Sequence, residues 1–320
     1  MENDGLADGL AALGTVSAPQ SYAAVLRRRL DAVLASLPIG CDSSGSDEAV
    51  HIKAPAIEPL PDWLTIPVQL HEAWASERTG KPVADLGDVL WAQYALFLYI
   101  RLQDDVLDRQ QEDLRLLFVA DRFLLESLAC IEQPELLSFY RARLRETVDG
   151  ILDVRRLEAR PGLFTTEHLG LHANVNGIFK VAAASVSALC GRPEEMSWIA
   201  PLMDRLAVFS QIGDDVCDLV QDLRAGRFTW VANVLLDADR EEHIDVDQRM
   251  RRLADGLFDG ERRARVVDEL RKVAGAAASS VPPSAPSTIR DFAAALQGKA
   301  DELDRMWHET SVRRVFADVP

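Results

Sequence analysis

From Leu86 to the C-terminus, apolar residues return at three- and four-residue intervals, and strand-like alternation is essentially absent. Side chains spaced in that way share one face of a helix, so the pattern commits the chain to packed helices. It runs through "LRLLFVADRFLLESLACI", "LLSFYRARLRETVDGILDVRRLEA", "ANVNGIFKVAAASVSALC" and "APLMDRLAVFSQIGDDVCDLV". Breakers gather at "ARPGLF", "GRPEE" and "VPPSAPS", where Pro and Gly punctuate helices. Upstream, helices are expected over Tyr22–Ser36, Val68–Arg78 and Leu86–Asp108, with a loop over Gly40–Asp47. Residues 1–19 are small, polar and Gly/Ala-rich and are expected to be poorly ordered. Residues 20–320 are expected to form one all-α domain of about ten or more helices, since no linker divides them.

Charge narrows the partners. Against 35 Lys and Arg stand 51 Asp and Glu, a net charge of −16, which argues against nucleic acid and anionic membrane surfaces. The cysteines Cys41, Cys130, Cys190 and Cys217 are scattered, without a CxxC pair, as in a reduced chain rather than a disulfide framework. The N-terminus "MENDGLADGLAALG" lacks the basic and apolar regions of a signal peptide. No apolar run reaches the length of a membrane span. A soluble, cytoplasmic setting is expected.

One local echo points to chemistry. "LQDDVLD" (Leu102 to Asp108) and "IGDDVCD" (Ile212 to Asp218) share the pattern apolar-x-Asp-Asp-Val-x-Asp, and they hold the only two Asp-Asp pairs in the chain. On a helix, Asp104 and Asp108 stand one turn apart on one face. Asp214, Asp218 and Asp222 are expected to continue a second such face for two turns, with Asp215 roughly a quarter-turn away. Each row closes an apolar run, where carboxylates meet the negative end of the helix dipole. Burial beside apolar surface adds to the cost unless cations are present. Mg²⁺ answers both problems, because it is a hard ion that binds through one or two carboxylates, waters and a substrate phosphate. Two such patches across an apolar cavity would chelate a diphosphate, with its hydrocarbon in the cavity below. A lone DxxxD in so acidic a chain is usually a solvated face; two near-identical copies, each ending a buried-looking helix, are not.

These residues resemble the trans-polyprenyl diphosphate synthases and the related class I terpene cyclases. "DDVLD" is similar to the first aspartate-rich motif of that family, "QIGDDVCD" to the second with Gln211 included, and "QDLRAGRFTW" to the run that follows it. The resemblance spans roughly residues 85–235 and implies an isoprenoid-synthase bundle around a central cavity. It implies three Mg²⁺ ions, held by Asp104 and Asp108 and by Asp214 with Asp218 and Asp222, and Asp105 and Asp215 behind them. Lys180 and Arg227 would contact the diphosphate, with Gln211 beside them and Arg101 a weaker candidate set against an ordinary salt bridge. The cation would need an apolar, aromatic wall. Leu96, Phe97 and Ile100 before the first motif, and Met203, Ala207 and Ser210 before the second, stand at helical spacing for it, though such stripes are usually core. Asn174, Asn176 and Gly177 could mark a helix break near the cavity or a plain surface turn, and His172 reads as structural.

Departures matter as much. Chain-elongating members carry Gly-Gly-Lys-x-x-Arg before the first motif and Arg-Arg-Gly after it, which hold isopentenyl diphosphate. Here only "RTGKPVAD" precedes, and "RQQEDLRLLF" follows. The resemblance therefore implies a Mg²⁺-dependent class I terpene synthase that ionises a C15–C25 prenyl diphosphate, cyclises the cation and releases diphosphate. A prenyltransferase, and a non-catalytic subunit of a prenyl synthase, remain as alternatives; the resemblance also leaves a homodimer open.

Overall fold

The computed structural model describes residues 20–37, 57, 60–75, 86–107, 113–131, 134–237 and 246–317. The expected disorder of residues 1–19, the loop at 40–47 and the metal ligand Asp108 lie outside them. Among the described residues there are twelve α-helices and no strand. They are α1 (Gln20–Ser36), α2 (Asp62–Ala75), α3 (Leu86–Leu107), α4 (Arg115–Ala129), α5 (Pro134–Glu158) and α6 (Leu171–Val175). Then follow α7 (Lys180–Leu189), α8 (Met196–Arg224), α9 (Trp230–Leu236), α10 (Val246–Phe258), α11 (Gly260–Ser280) and α12 (Ser287–Ala317). No helix among the described residues is long and apolar enough to cross a membrane.

The described residues divide into two compact units, one within 20–144 and 178–196, the other within 145–177 and 197–317. They are called below the Asp104 unit and the Asp214 unit.

In the Asp104 unit, α3 is the central rod. Its residues from Leu90 to Leu96 are buried on every side, as an all-round apolar helix must be. Along α4, Leu116, Val119, Ala120, Phe123 and Ser127 form the buried stripe, and α4 packs along α3. A polar chain stitches this core: Tyr140 donates to Ser127 Oγ at 3.0 Å, and Ser127 donates to the Ala92 carbonyl. At the start of α3, Asp88 favours the helix dipole and pairs with Arg29 of α1.

Helix α2 begins at Asp62, six residues before the expected Val68, and carries Pro67 in its interior. Proline lacks the N–H that would satisfy the carbonyl four residues earlier, that of Trp63. The fold supplies another donor, Gln93 Nε2 of α3, at 2.9 Å. Pro67 is thereby accommodated rather than ending the helix.

In the Asp214 unit, α8 ends on a Schellman turn. Gly226 adopts a φ of 78°, its N–H bonds the Leu223 carbonyl at 3.2 Å, and that of Arg227 bonds the Asp222 carbonyl at 2.8 Å. Phe228 N–H then reaches the Glu158 carbonyl of α5 at 2.8 Å. Thr229 caps α9 through its hydroxyl, which accepts from Ala232 N–H at 3.3 Å. Asn233 ties this segment down, donating to the Phe164 and Phe228 carbonyls at 3.1 Å and accepting from Gly162 N–H at 2.9 Å. α11 and α12 pack as a long pair.

Candidate active site

Both aspartate pairs sit on helices, and each divides into one reachable and one enclosed carboxylate. Asp104 is half-buried near the end of α3, while Asp105 is only 4% exposed. On α8, Asp214 is exposed and Asp215 is 2% exposed. Neighbours in a helix point about 100° apart, so one member of each pair turns outward and the other packs inward.

The second row does not stay on a single face, which corrects the expectation for Asp222. Steps of four residues advance about 40° around a helix, so Asp222 lies about 80° from Asp214 and close to the direction of Asp215. Asp214 and Asp218 are exposed together with Ser210, whereas Asp215 and Asp222 are buried together. The carboxylate of Asp222, expected on a metal, forms a close ion pair with Arg227, expected on the diphosphate. Arg101 is likewise engaged: its Nε stands 3.0 Å from Asp105 Oδ1, one turn away. Gln211 donates from Nε2 to Asp215 Oδ1 at 3.1 Å.

Asp215 Oδ2 has no hydrogen-bond partner. Burial pushes this carboxyl well above the usual carboxylate range. The Gln211 hydrogen bond opposes the shift, and the charges of Glu158, Asp222 and Asp214 add to it. Cys217, beside the exposed pair, is pushed up to about 12 by burial and by Asp214 and Asp218. It is a thiol rather than a thiolate at neutral pH.

Among the described residues, no group of three or more His, Cys, Asp or Glu side chains stands ready to hold a metal ion. Asp104 offers one reachable carboxylate, and Asp214 with Asp218 offers two. All are hard oxygen donors, which fits an ion such as Mg²⁺ that takes one or two protein carboxylates and completes its shell with water and phosphate.

Lys180 is the first residue of α7 and only 6% exposed. A lysine at the positive end of a helix concentrates positive charge, an arrangement that favours an anion. Before it α6 stops at Asn176, whose side chain donates to the His172 carbonyl at 3.0 Å, and a short turn over Gly177–Phe179 leads into α7. His172 itself is enclosed, with Nε2 unpartnered, its ring 5.1 Å from Phe164 and its pKa pushed down to about 4 by burial. It is a neutral packing residue.

Phe97 and Ile100 are half-buried on the α3 stripe that leads to Asp104. Phe97 lies two turns before it, so the two share a face. Two rings that sequence reasoning missed join Phe97. Trp63 of α2 stacks on Phe179, which immediately precedes Lys180, with centroids 4.7 Å apart and planes 16° apart. Phe97 lies 5.0 Å from Trp63 and 6.0 Å from Phe179. All three rings are half-buried among otherwise enclosed neighbours. No local signal marks Trp63 or Phe179, because the array forms only when α2, α3 and the turn before α7 meet. The remaining expected wall residues differ in environment. Leu96 is fully enclosed with Tyr140, Ile178 and Val181, Met203 and Ala207 are buried, and Ser210 is exposed.

No family model matches the sequence, and no curated protein matches it. Two solved structures resemble the fold. A polyprenyl synthase from Roseobacter denitrificans is 14% identical, with a TM-score of 0.55 over 90% of this chain and 99% of that one. An octaprenyl pyrophosphate synthase from Helicobacter pylori is 8% identical, with a TM-score of 0.59 over 88% of this chain and 99% of that one. The chain thus has the all-α isoprenoid synthase fold.

Proposed function

We propose that the chain is a Mg²⁺-dependent class I terpene synthase that ionises an allylic prenyl diphosphate and cyclises the resulting cation. The observation that carries the reading is the stripe of α3. It runs from Phe97, stacked with Trp63 and Phe179, through Ile100 to the reachable carboxylate of Asp104. Lys180, next to Phe179, brings a buried cation to the same array. An anion-directed end and an aromatic end therefore belong to one unit.

Asp104 and Asp108 of one motif, and Asp214 and Asp218 of the other, would hold Mg²⁺. When bound, the metal neutralises charge that develops on the departing diphosphate. Lys180 contributes a fixed positive charge to the same anion. Trp63 and Phe179 cover each other face to face, so the sides of this half-buried array that its own rings leave open would lie against the hydrocarbon, exclude water and stabilise positive charge on carbon. Asp222 and Arg227 hold each other at the end of α8 and brace the row rather than bind metal.

The two structural neighbours are named as polyprenyl synthases, and this supports prenyl transfer as the second reading. Against elongation stands the absence of Gly-Gly-Lys-x-x-Arg and Arg-Arg-Gly around the first motif. The test is incubation with C10–C25 prenyl diphosphates and Mg²⁺, with and without isopentenyl diphosphate, followed by mass spectrometry. Cyclic hydrocarbon or alcohol from one prenyl diphosphate supports cyclisation. Longer diphosphates formed only with isopentenyl diphosphate overturn it in favour of transfer.

A further inference from the structure

Gln93 is fully enclosed on α3, and both ends of its side-chain amide hydrogen-bond to backbone groups. Its Nε2 donates to the Trp63 carbonyl at 2.9 Å, and its Oε1 accepts from the Ala182 N–H at 2.6 Å. Each partner is a backbone group that its own helix leaves unmet. The Trp63 carbonyl loses its donor to Pro67. The Ala182 N–H belongs to the first turn of α7, whose N–H groups have no acceptor within that helix. The chemistry fixes the amide's orientation, since only the nitrogen can donate and only the oxygen can accept. Flipped, it would leave both groups unsatisfied.

One side chain therefore sets where three helices stand at the candidate site. On α2 it holds the residue whose ring stacks on Phe179. On α7 it holds the turn that begins with Lys180. On α3 it sits one turn before Phe97, on the stripe that ends at Asp104. We infer that Gln93 is a positioning residue: its amide locks the Trp63 backbone and the first turn of α7 to α3, and so fixes Lys180 and the aromatic array relative to each other. This rests on the reading of Lys180 as a diphosphate contact. A misplacement of about 1 Å at such a contact is costly to binding and catalysis, so the brace acts on function and not only on folding.

Three substitutions test it in the full chain. Gln93→Met matches the length and removes both hydrogen bonds. Gln93→Glu, protonated in this enclosed position, reproduces both. Gln93→Asn keeps the amide but is too short to span the two partners, and it carries the same expectation as Gln93→Met should that variant not fold. The readouts are the affinity for inorganic diphosphate with Mg²⁺ by calorimetry, the product ratio by mass spectrometry, and the thermal midpoint. Gln93→Met is expected to weaken inorganic diphosphate about tenfold, the scale of one impaired charged hydrogen bond, and to shift the product ratio. Gln93→Glu restores affinity to within about twofold. In a Lys180→Ala background, Gln93→Met changes affinity no further, because the brace acts through that lysine. A folded Gln93→Met with a lower midpoint but unchanged affinity and product ratio overturns the inference alone, as does simple addition of the two losses. Failure of the wild-type chain to bind inorganic diphosphate overturns the proposed function and this inference together.

Discussion

Arg227 folds back onto Asp222, and the two side chains, 20% and 6% exposed, form an ion pair at the end of α8. The Schellman turn at Gly226 makes this possible by reversing the chain there. Arg227→Ala leaves a carboxylate buried without its cation, a change that costs about 3–5 kcal/mol. Urea denaturation should show that loss, and the double variant Arg227→Ala/Asp222→Asn should recover part of it. An unchanged urea midpoint for Arg227→Ala would contradict the pairing.

Two glycines should respond to alanine for different reasons. An added Cβ at Gly226 meets nothing within 4 Å, so the cost is only that of a left-handed φ, about 1–2 kcal/mol. At Gly256 the same atom would stand 2.1 Å from the Leu235 carbonyl oxygen, backbone against backbone, and α10 must move away from α9. That overpacking should cost about 2–3 kcal/mol. Equilibrium unfolding should rank Gly256→Ala below Gly226→Ala, and the reverse order counts against the packing described.

Asp215 ties stability to pH. Its folded carboxyl titrates well above its ordinary value of 3.8. Between those two values the folded state binds more protons than the unfolded, so this group's contribution falls as pH rises. It is fully favourable only below the ordinary value. Asp215→Asn mimics the protonated form and still accepts from Gln211, so it should gain stability over the wild type at pH 8 and lose that advantage near pH 4. Denaturation without Mg²⁺ at both pH values measures it. A constant difference would show that Asp215 titrates normally.

Much of this is legible in the sequence, and the exceptions have physical causes. The apolar period pointed to the helices, because local chemistry decides them. Pro67 looked like a boundary, yet α2 runs through it because Gln93, distant in sequence, satisfies the Trp63 carbonyl. The aspartate row looked continuous because a four-residue spacing suggests one face; accumulated rotation carries Asp222 into the protein, where Arg227 meets it. Trp63 and Phe179 were invisible for a third reason, since their stacking is tertiary.

If the aromatic array faces the reacting hydrocarbon, Trp63→Leu should preserve the fold and lower kcat/KM about tenfold, the worth of one cation–π contact removed from a desolvated site. Its product mixture should shift toward open-chain or water-quenched species, read by gas chromatography and mass spectrometry. A Trp63→Leu enzyme with wild-type rate and products would place the array outside the reaction.

The central claim is that both aspartate motifs serve metal-assisted departure of diphosphate. Release of inorganic diphosphate from a single prenyl diphosphate, followed with Mg²⁺ and with excess chelator, tests it most directly. The wild-type chain should release diphosphate only with Mg²⁺, and Asp104→Ala and Asp214→Ala should each reduce the rate at least about a hundredfold while keeping their helical spectra. Release that persists in chelator, or is equal in both variants and the wild type, would contradict the account.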